Sequence, residues 1–347
     1  SFKQMEKFRY SARDMALYRA KLEKIPVVLA SATPSLETLK NVKEEKYKVL
    51  KLNKRATGAN LPTYHAVDLK GKELYEGLSK ELLEATQTEL DKGNQVLIFL
   101  NRRGYAPSMI CKACGWISNC DRCDALMTVH KNPLKLHCHH CEAQKPYPSK
   151  CPSCGSDDFL TYGFGTERVE EFLRGHFPDT KTLRIDSDST RKKESLNEYF
   201  DEIKKGEPII LLGTQLLAKG HHFPNVTVVG IIDADSGLFS ADFRGSERVA
   251  QLMTQVAGRA GRDKKPGRVI LQSYCLDHPQ IEEIITGSYE KFAKKLLDER
   301  KSYKVPPFSF QAKIFAESPK SLVSRDFILK LLNQSKIEKQ ISSNVRI

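Results

Sequence analysis

The sequence predicts an α/β protein, a parallel sheet with flanking helices, into which a cysteine-rich module is inserted. Apolar segments of strand length alternate with amphipathic helical segments, as in βαβ units: 95–100, 182–186, 208–214, 226–234 and 267–274. The segment 95–100 (QVLIFL) is almost wholly apolar, as expected for a parallel strand covered on both faces. Eight of the nine cysteines lie between residues 111 and 154, inside this alternation.

The first part of the chain is predicted to be the end of a separate α/β lobe. A basic amphipathic segment favours a helix over 5–24, and the apolar residues 26–30 favour a buried strand. A helix at about 35–45 and a strand near 47–52 are expected next. The polar residues 55–66 are typical of a linker between lobes.

The second lobe is predicted to begin with a helix that ends at Asp91. Ser79 is a suitable N-cap, and Gly93 is a suitable stop signal. The apolar face of the helix is formed by Leu78, Leu82, Leu83 and Leu90. Thr86 interrupts that face.

The rest of the lobe follows the cysteines. Helices are expected after residue 165, over about 191–205 and over 246–256. From about residue 276 the pattern becomes helical and charged, and a strand is expected after Pro306. The predicted organisation therefore begins with a lobe remnant (1–54) and a linker with the start of the second lobe (55–110). The cysteine module (111–155), the remainder of the second lobe (156–275) and the start of a C-terminal α+β domain (276–347) follow.

The composition indicates a polyanionic partner. The 347 residues carry a formal net charge of +13, and nucleic acid is the usual partner of a basic chain. No apolar run approaches the length of a membrane span, and no basic-then-apolar leader occurs. We therefore expect a cytoplasmic protein without a membrane partner, whose thiols are reduced.

The eight cysteines form four CxxC pairs that are expected to hold two structural zinc ions: Cys111/Cys114, Cys120/Cys123, Cys138/Cys141 and Cys151/Cys154. Eight sulfurs fill two tetrahedral shells and leave no position for a catalytic water. Disulfides are the alternative to zinc. Cys275 lies in an apolar segment and is expected to be inert packing.

The order of pairing can be argued from glycine. The outer pairs are each followed by glycine, at Gly115 and Gly155, which permits a tight turn. This favours one ion shared by Cys111, Cys114, Cys151 and Cys154, and a second shared by Cys120, Cys123, Cys138 and Cys141. Sequential pairing is the alternative, although it would crowd Cys114 and Cys120.

A second signal is the segment QVAGRAGR, residues 255–262. Arg259 and Arg262 are three residues apart, so they fall on one side of a helix, and the small residues around them let another surface approach. Guanidinium groups in such a place can stabilise a transferring phosphoryl group. Two solvated arginines on a small-residue helix are the alternative.

Two further segments accompany this one. Ser31-Ala32-Thr33 and GTQLLAKGHHFPNV (213–226) each follow an apolar strand, in the order of motifs III, V and VI of superfamily 2 helicases. With LNRRGYAP (100–107), the cysteine module and ADFRGSERVAQLMTQVAGRAGR (241–262), the chain resembles the PriA family of bacterial replication-restart helicases. The resemblance runs from before residue 31 to about residue 308.

The resemblance implies a RecA-like helicase lobe and a nucleotide held between two lobes. Arg259 and Arg262 would reach the phosphates of ATP-magnesium, Gln255 would couple nucleotide state to lobe closure, and Gly220 and Gly258 would belong to the nucleotide site. Ser31 and Thr33 would link the ATP site to the DNA side. Motif V residues would contact the DNA backbone: Thr214, Gln215 and Lys219, next to Gly213. The family also implies the nested zinc pairing.

An aromatic and basic segment at the start of the chain, FRYSARD, matches a family loop that contacts DNA. Phe8 and Tyr10 would stack on bases, and Arg9 and Arg13 would hold phosphates. A basic amphipathic helix packed on its lobe is the alternative. Trp116 could likewise stack on a base, but we expect it to fill the core between the zinc sites.

Three other groups of residues invite a metal assignment, and each is interpreted otherwise. His221 and His222 are expected to serve a loop, and His137, His139 and His140 to be spectators beside Cys138, because the cysteines already fill two shells. Asp233 and Asp235 follow motif V, so they are expected to be structural rather than magnesium ligands.

The family implies an ATP-dependent DNA helicase that recognises stalled forks, unwinds DNA and initiates primosome assembly with single-strand-binding protein and the primosome proteins, on the bacterial nucleoid. No GxxxxGK[ST] loop and no acidic box occur in the 347 residues. We therefore expect the parent protein to be the ATPase, and these residues alone to be inactive. The alternatives are a zinc-bearing DNA-docking protein with a decayed motor and a zinc-ribbon RNA remodeller.

Overall fold

A computed structural model describes most of the chain. The described residues are 10–52, 61–100, 109–122, 126–131, 133–138, 143–160, 165–186, 193–214, 223–232, 234–235, 244–261, 265–286, 288–311, 316 and 321–334. Within these ranges, no helix is both apolar enough and long enough to cross a bilayer.

The described residues form nine helices and eleven strands. The helices are α1 (Ala12–Glu23), α2 (Leu36–Lys43), α3 (Lys80–Asp91), α4 (Thr166–His176), α5 (Lys193–Lys204), α6 (Gly245–Ala257), α7 (Pro279–Thr286), α8 (Tyr289–Ser302) and α9 (Ser321–Gln334). The strands are β1 (Thr63–Asp68), β2 (Gln95–Phe99), β3 (Ile110–Cys111), β4 (Thr128–Lys131), β5 (Leu134–His137), β6 (Gln144–Pro146), β7 (Phe159–Leu160), β8 (Lys181–Ile185), β9 (Ile209–Gly213), β10 (Val226–Ile231) and β11 (Arg268–Ser273).

Six strands form one parallel sheet in the order β1-β11-β10-β2-β9-β8. The central strands β2, β9 and β10 are buried along their whole length, because helices cover both faces of the sheet. The predicted parallel α/β fold is confirmed, and the predicted strands of the second lobe agree with the observed ones to within a few residues.

The two faces of the sheet have separate cores. On one face, α3 and α4 contribute Leu82, Val169 and Leu173 to a buried cluster. On the other face, α6, α7 and α8 contribute side chains such as Met253 and Phe292. Thr86 fits the apolar face of α3 because its hydroxyl donates to the Leu82 carbonyl oxygen at 2.8 Å, so the buried polar group is satisfied within the helix.

The predicted linker 55–66 overlaps the edge strand β1, which begins at Thr63. β1 pairs with β11 through Tyr64 and Val269. As an edge strand it is half exposed, so its residues lack the continuous apolar pattern of the central strands. The polar sequence therefore concealed a strand.

Two predicted strands in the first part of the chain are wrong. Residues 26–30 and 47–52 form no strand, and they expose apolar side chains such as Val28 (85% exposed) and Leu52 (98% exposed). A strand needs a hydrogen-bonded neighbour, and neither segment pairs with any strand in the part of the chain that the structure describes.

Helices α7 and α8 pack into the core of the sheet, although a separate domain was predicted to begin at residue 276. Ile281, Ile284, Phe292 and Leu296 are buried in the same cluster as the strands. The strand predicted after Pro306 falls mostly on residues 312–315, which lie outside the described residues.

Candidate functional site: a zinc module and an interlobe contact

The outer cysteine pairs form two matching turns. In the first, the Gly115 amide donates to the Cys111 carbonyl oxygen at 2.8 Å, and in the second the Gly155 amide donates to that of Cys151 at 2.9 Å. Both glycines adopt positive φ, +77° and +78°. A residue with a Cβ is disfavoured there, which explains the glycine after each pair.

These turns bring four sulfurs together. The Sγ atoms of Cys111, Cys114, Cys151 and Cys154 lie within 4.8 Å of one another. The Cys111–Cys154 and Cys114–Cys151 sulfurs are 3.6 and 3.7 Å apart. Four thiolates around zinc at about 2.3 Å would be about 3.8 Å apart. The cluster therefore fits a tetrahedral zinc ion.

The same distances decide between the alternatives. No disulfide joins any of the seven described cysteines, and a sulfur separation of 3.6 Å is well beyond the bond length of about 2.05 Å in a disulfide. The cluster joins the first CxxC pair to the last, so the outer pairing agrees with the sequence argument and sequential pairing is wrong for these four residues.

The electrostatics of the cluster favour exchange of protons for a cation. Burial raises the pKa of Cys114, but hydrogen bonds from the Trp116 amide and from neighbouring thiols lower this pKa to about 7. The Ser156 amide lowers the pKa of Cys154, but the neighbouring thiols raise it to about 12. Four thiols this close cannot all ionise without a cation, and zinc would displace the remaining protons.

The inner cysteines belong to the small core of the module. Cys120 and Cys138 are buried in a cluster with Met109, Met127 and Leu136. Cys123 and Cys141 lie outside the described residues, as do His139 and His140. His137 is on β5, with its ring centroid 5.1 Å from that of His130. Trp116 packs against this core, as predicted.

The module is docked on the carboxyl edge of the six-stranded sheet. The Gly71 amide, just after β1, donates to the Lys112 carbonyl oxygen at 2.9 Å. A Cβ built on Gly115 would lie 2.7 Å from the Tyr274 carbonyl oxygen, just after β11. The first zinc turn therefore fits against the sheet with no room for a side chain.

The motif III segment contacts the motif VI helix. The Thr33 amide donates to Ser31 Oγ at 3.0 Å, which forms a tight turn, and Thr33 is buried. Gln255 Nε2 donates to Thr33 Oγ1 at 2.8 Å. Gln255, predicted to couple nucleotide state to lobe closure, and Thr33, predicted to link the ATP site to the DNA side, therefore form a direct hydrogen bond although they are 222 positions apart.

Arg259 is 4% exposed, at the turn after α6. Its guanidinium carbon lies 5.9 Å from the centre of the Phe223 ring, a cation–π contact. Gly258 caps α6, with its amide donating to the Thr254 carbonyl oxygen. Arg262 lies outside the described residues. The structure thus holds Arg259 beside the last part of motif V.

Two glycines explain why this turn is so small. Gly261 has φ +61°, and its amide donates to the Val226 carbonyl oxygen at 2.9 Å. A Cβ on Gly261 would lie 2.4 Å from the Gly267 backbone nitrogen. The turn after α6 therefore crosses the start of β11 at a distance that only glycine permits.

Thr214 is at the carboxyl end of β9 and is 8% exposed. Gln215, Lys219, Gly220, His221 and His222 lie outside the described residues. Asp235 follows β10, and its carboxylate accepts hydrogen bonds from Ser273 Oγ and the Tyr274 amide, 2.5 and 2.8 Å away. These bonds join two strands, as expected for a structural residue; Asp233 lies outside the described residues.

Of the predicted DNA-contact loop, Phe8 and Arg9 lie outside the described residues. Tyr10 is 45% exposed. Arg13 pairs with Asp14 at 2.8 Å and donates to Ser35 Oγ. Cys275 is a free thiol, half-buried against the core; burial raises its pKa to about 12, and it packs as predicted.

The contact between motif III and motif VI includes residues that the sequence reasoning missed. Glu247 and Gln251 precede Gln255 on α6 and contact the same segment. They lie four and eight residues before Gln255, and this spacing was the available signal, since it places all three on one face of a helix.

Two family models match the chain. The PriA DNA helicase Cys-rich region domain matches residues 120–146, which contain the inner cysteine pairs. The helicase conserved C-terminal domain matches residues 156–264, which contain the sheet strands β8–β10 and the motif VI helix. Together they cover the inner part of the module and the part of the lobe that follows it, but not the outer cysteine pairs.

The chain is also similar to curated relatives described as replication restart protein PriA. It is 49% identical to that of Haemophilus influenzae over 92% of this chain and 44% of the relative. It is 42% identical to that of Rickettsia felis over 100% of this chain and 52% of the relative. It is 40% identical to that of Bacillus subtilis over 90% of this chain and 39% of the relative.

The chain thus spans about half the length of the relatives it matches. Its parallel sheet, its four-sulfur cluster and these similarities agree with one another. The chain belongs to the PriA family of replication restart proteins.

Proposed function

We propose that the parent protein is an ATP-dependent DNA helicase that recognises stalled or collapsed replication forks, unwinds duplex DNA and starts primosome assembly. The observation that carries the proposal is the Thr33–Gln255 hydrogen bond. It joins the predicted end of one motor lobe to the motif VI helix of the other, which is the contact that a two-lobed motor needs.

In this proposal, ATP-magnesium binds between the second lobe and the rest of the first lobe. Arg259 and Arg262 contact its phosphates, with Gly220 and Gly258 beside them, and Gln255 relays nucleotide state to Thr33. Arg259 is buried beside the Phe223 ring, which holds its guanidinium next to the last part of motif V.

DNA contacts form the next part of the proposal. Motif V residues Thr214, Gln215 and Lys219 hold the backbone, while Phe8, Arg9, Tyr10 and Arg13 contact single-stranded bases and phosphates. The net charge of +13 supports a polyanionic partner. The Arg13 guanidinium pairs with the Asp14 carboxylate, so a DNA phosphate would have to compete with Asp14 for Arg13.

The module is proposed to hold two zinc ions. The first uses Cys111, Cys114, Cys151 and Cys154, and the second uses Cys120, Cys123, Cys138 and Cys141. Cys120 and Cys138 lie in one buried cluster, which supports a shared ion. Single-strand-binding protein and the primosome proteins are proposed partners, and the bacterial nucleoid in the cytoplasm is the proposed location.

The test is ATP hydrolysis and strand separation by the full-length protein on forked DNA and on structured RNA. We expect stimulation by forked DNA, and loss of unwinding but not of fork binding in Arg259→Ala and Arg262→Ala. Arg174→Ala is the control, since this arginine is 64% exposed and pairs with Glu170 one turn away in α4. The 347 residues alone should not hydrolyse ATP.

Unchanged unwinding by both arginine variants would contradict the motor and favour a DNA-docking protein. Stronger stimulation by RNA than by forked DNA would favour an RNA remodeller. DNA-stimulated turnover by the 347-residue chain alone would contradict the assignment of the phosphate loop and magnesium ligands to the rest of the parent protein.

A further inference from the structure

Helix α6 presents three polar side chains, four residues apart, to the segment 33–36. Gln255 Nε2 donates to Thr33 Oγ1 at 2.8 Å. Gln251 Nε2 donates to the Thr33 carbonyl oxygen at 3.3 Å. The Leu36 amide donates to Glu247 Oε1 at 3.0 Å. The segment and the helix are therefore in contact over about two helical turns.

Helix α8 supports this contact from behind. Tyr289 Oη donates to the Pro34 carbonyl oxygen at 2.7 Å and lies 3.2 Å from Gln251 Nε2, from which it accepts. A guanidinium nitrogen of Arg300 lies 3.1 Å from Glu247 Oε2. Arg300 also donates to the Pro306 carbonyl oxygen at 3.3 Å. One helix outside the recognised motifs thus contacts both segment 33–36, at Pro34, and the motif VI helix, at Glu247 and Gln251.

The burial of these groups indicates a fixed arrangement. Glu247 is 5% exposed and Arg300 is 3% exposed. Leu36 is fully buried in the main core of the lobe, although it comes from the segment before β1. A buried ion pair contributes little to stability compared with apolar side chains of the same volume, but it tolerates only one geometry. Fixed registration of the two segments is what such a pair can supply.

We propose that Tyr289 and Arg300 are positioning residues that hold segment 33–36 on the motif VI helix, so that Thr33 meets Gln255. Helix α8 then takes part in coupling nucleotide binding to nucleic-acid binding. The inference deepens the proposed function, since coupling presupposes a motor. Neither residue contacts nucleotide or DNA in this scheme; each acts through Thr33 and Gln255.

The test uses Tyr289→Phe in the full-length protein, which removes one hydroxyl and keeps the ring. Tyr303→Phe is the matched control, at the end of the same helix and 73% exposed. The first measurement is hydrogen exchange of residues 31–40. Loss of one net hydrogen bond should speed their exchange about two- to tenfold in Tyr289→Phe and leave it unchanged in the control.

The second measurement is the DNA-stimulated rate of ATP hydrolysis. Tyr289→Phe should lower kcat several-fold with an unchanged KM for ATP. Thr33→Val should do the same, and the double variant should lose no more than either single variant, because both changes break one contact. A merely structural role would instead lower stability and give losses that multiply.

Unchanged exchange in residues 31–40 overturns the inference whatever the activity. Faster exchange with a wild-type kcat also overturns the inference, since the contact then has no effect on ATP hydrolysis. If the wild-type protein hydrolyses no ATP with any nucleic acid, the proposed motor fails, and the exchange measurement alone decides whether Tyr289 holds the segment.

Discussion

Alanine substitutions at Gly115 and Gly155 test whether the zinc module is docked rigidly on the sheet. Both residues occupy the same position after a CxxC turn, with φ of +77° and +78°. They differ in their surroundings. A Cβ on Gly115 would lie 2.7 Å from the Tyr274 backbone oxygen and 2.9 Å from Lys70 Cε, while a Cβ on Gly155 would meet nothing within 4 Å.

The difference gives a magnitude. The left-handed backbone costs an alanine about 1–2 kcal/mol at either site. At Gly115 the Lys70 side chain can move, but the Tyr274 carbonyl belongs to the backbone, and such overpacking costs about 1–3 kcal/mol more. We therefore expect Gly155→Ala to cost about 1–2 kcal/mol and Gly115→Ala about 2–5 kcal/mol of stability.

Thermal unfolding of the zinc-loaded protein measures both costs. For a lobe of this size, 1 kcal/mol corresponds to roughly 2–4 °C in Tm. Zinc content is measured in parallel, because the left-handed strain acts on both turns and should weaken both halves of the site alike. Equal losses of Tm in the two variants would refute the docking, since the contacts with the Tyr274 backbone and the Lys70 side chain are what separates them.

Two further outcomes are expected from the same geometry. Cys154→Ser should release one of two zinc ions per chain in a metal analysis, because the outer cluster needs all four sulfurs. The control Cys275→Ser should release none. Loss of both ions from Cys154→Ser would show that the two sites are not separate. Gly261→Ala should lower Tm more than Gly71→Ala, since both have positive φ but only the first meets backbone, at 2.4 Å; similar losses would contradict the close approach to Gly267.

Much of the fold could be predicted because its signals are local. Strands such as β2 and β9 are buried on both faces, so apart from Gln95 they contain no polar side chain. The zinc turns repeat one short pattern ending in glycine. β1 escaped prediction because an edge strand exposes one side, and residues 26–30 misled because an apolar run says nothing about whether a neighbouring strand exists.

The contact between segment 33–36 and the motif VI helix could not be predicted in the same way. Leu36 and Glu247 are 211 residues apart, and Thr33 and Gln255 are 222 apart. Resemblance to helicase motifs indicated Thr33 and Gln255 separately. Tyr289 and Arg300 belong to no motif, and only the packing of α8 on the sheet brings them to the contact.

The zinc module and Arg259 lie at opposite ends of the parallel strands, and strand β10 runs between them. Thr214, Asp235 and the zinc module lie at the carboxyl ends of the strands, whereas Arg259 packs beside Phe223, just before β10 begins. The Gly261 amide is bonded to Val226 at that same end of β10.

Strand β10 therefore connects the two edges, with Gly261 held at its start and Asp235 just beyond its end. Asp235 binds the Tyr274 amide, and the Tyr274 carbonyl oxygen faces Gly115 of the zinc turn. Strand β10 is buried along its whole length, so Gly261, β10, Asp235 and Gly115 form one packed series of contacts from the turn after α6 to the zinc turn.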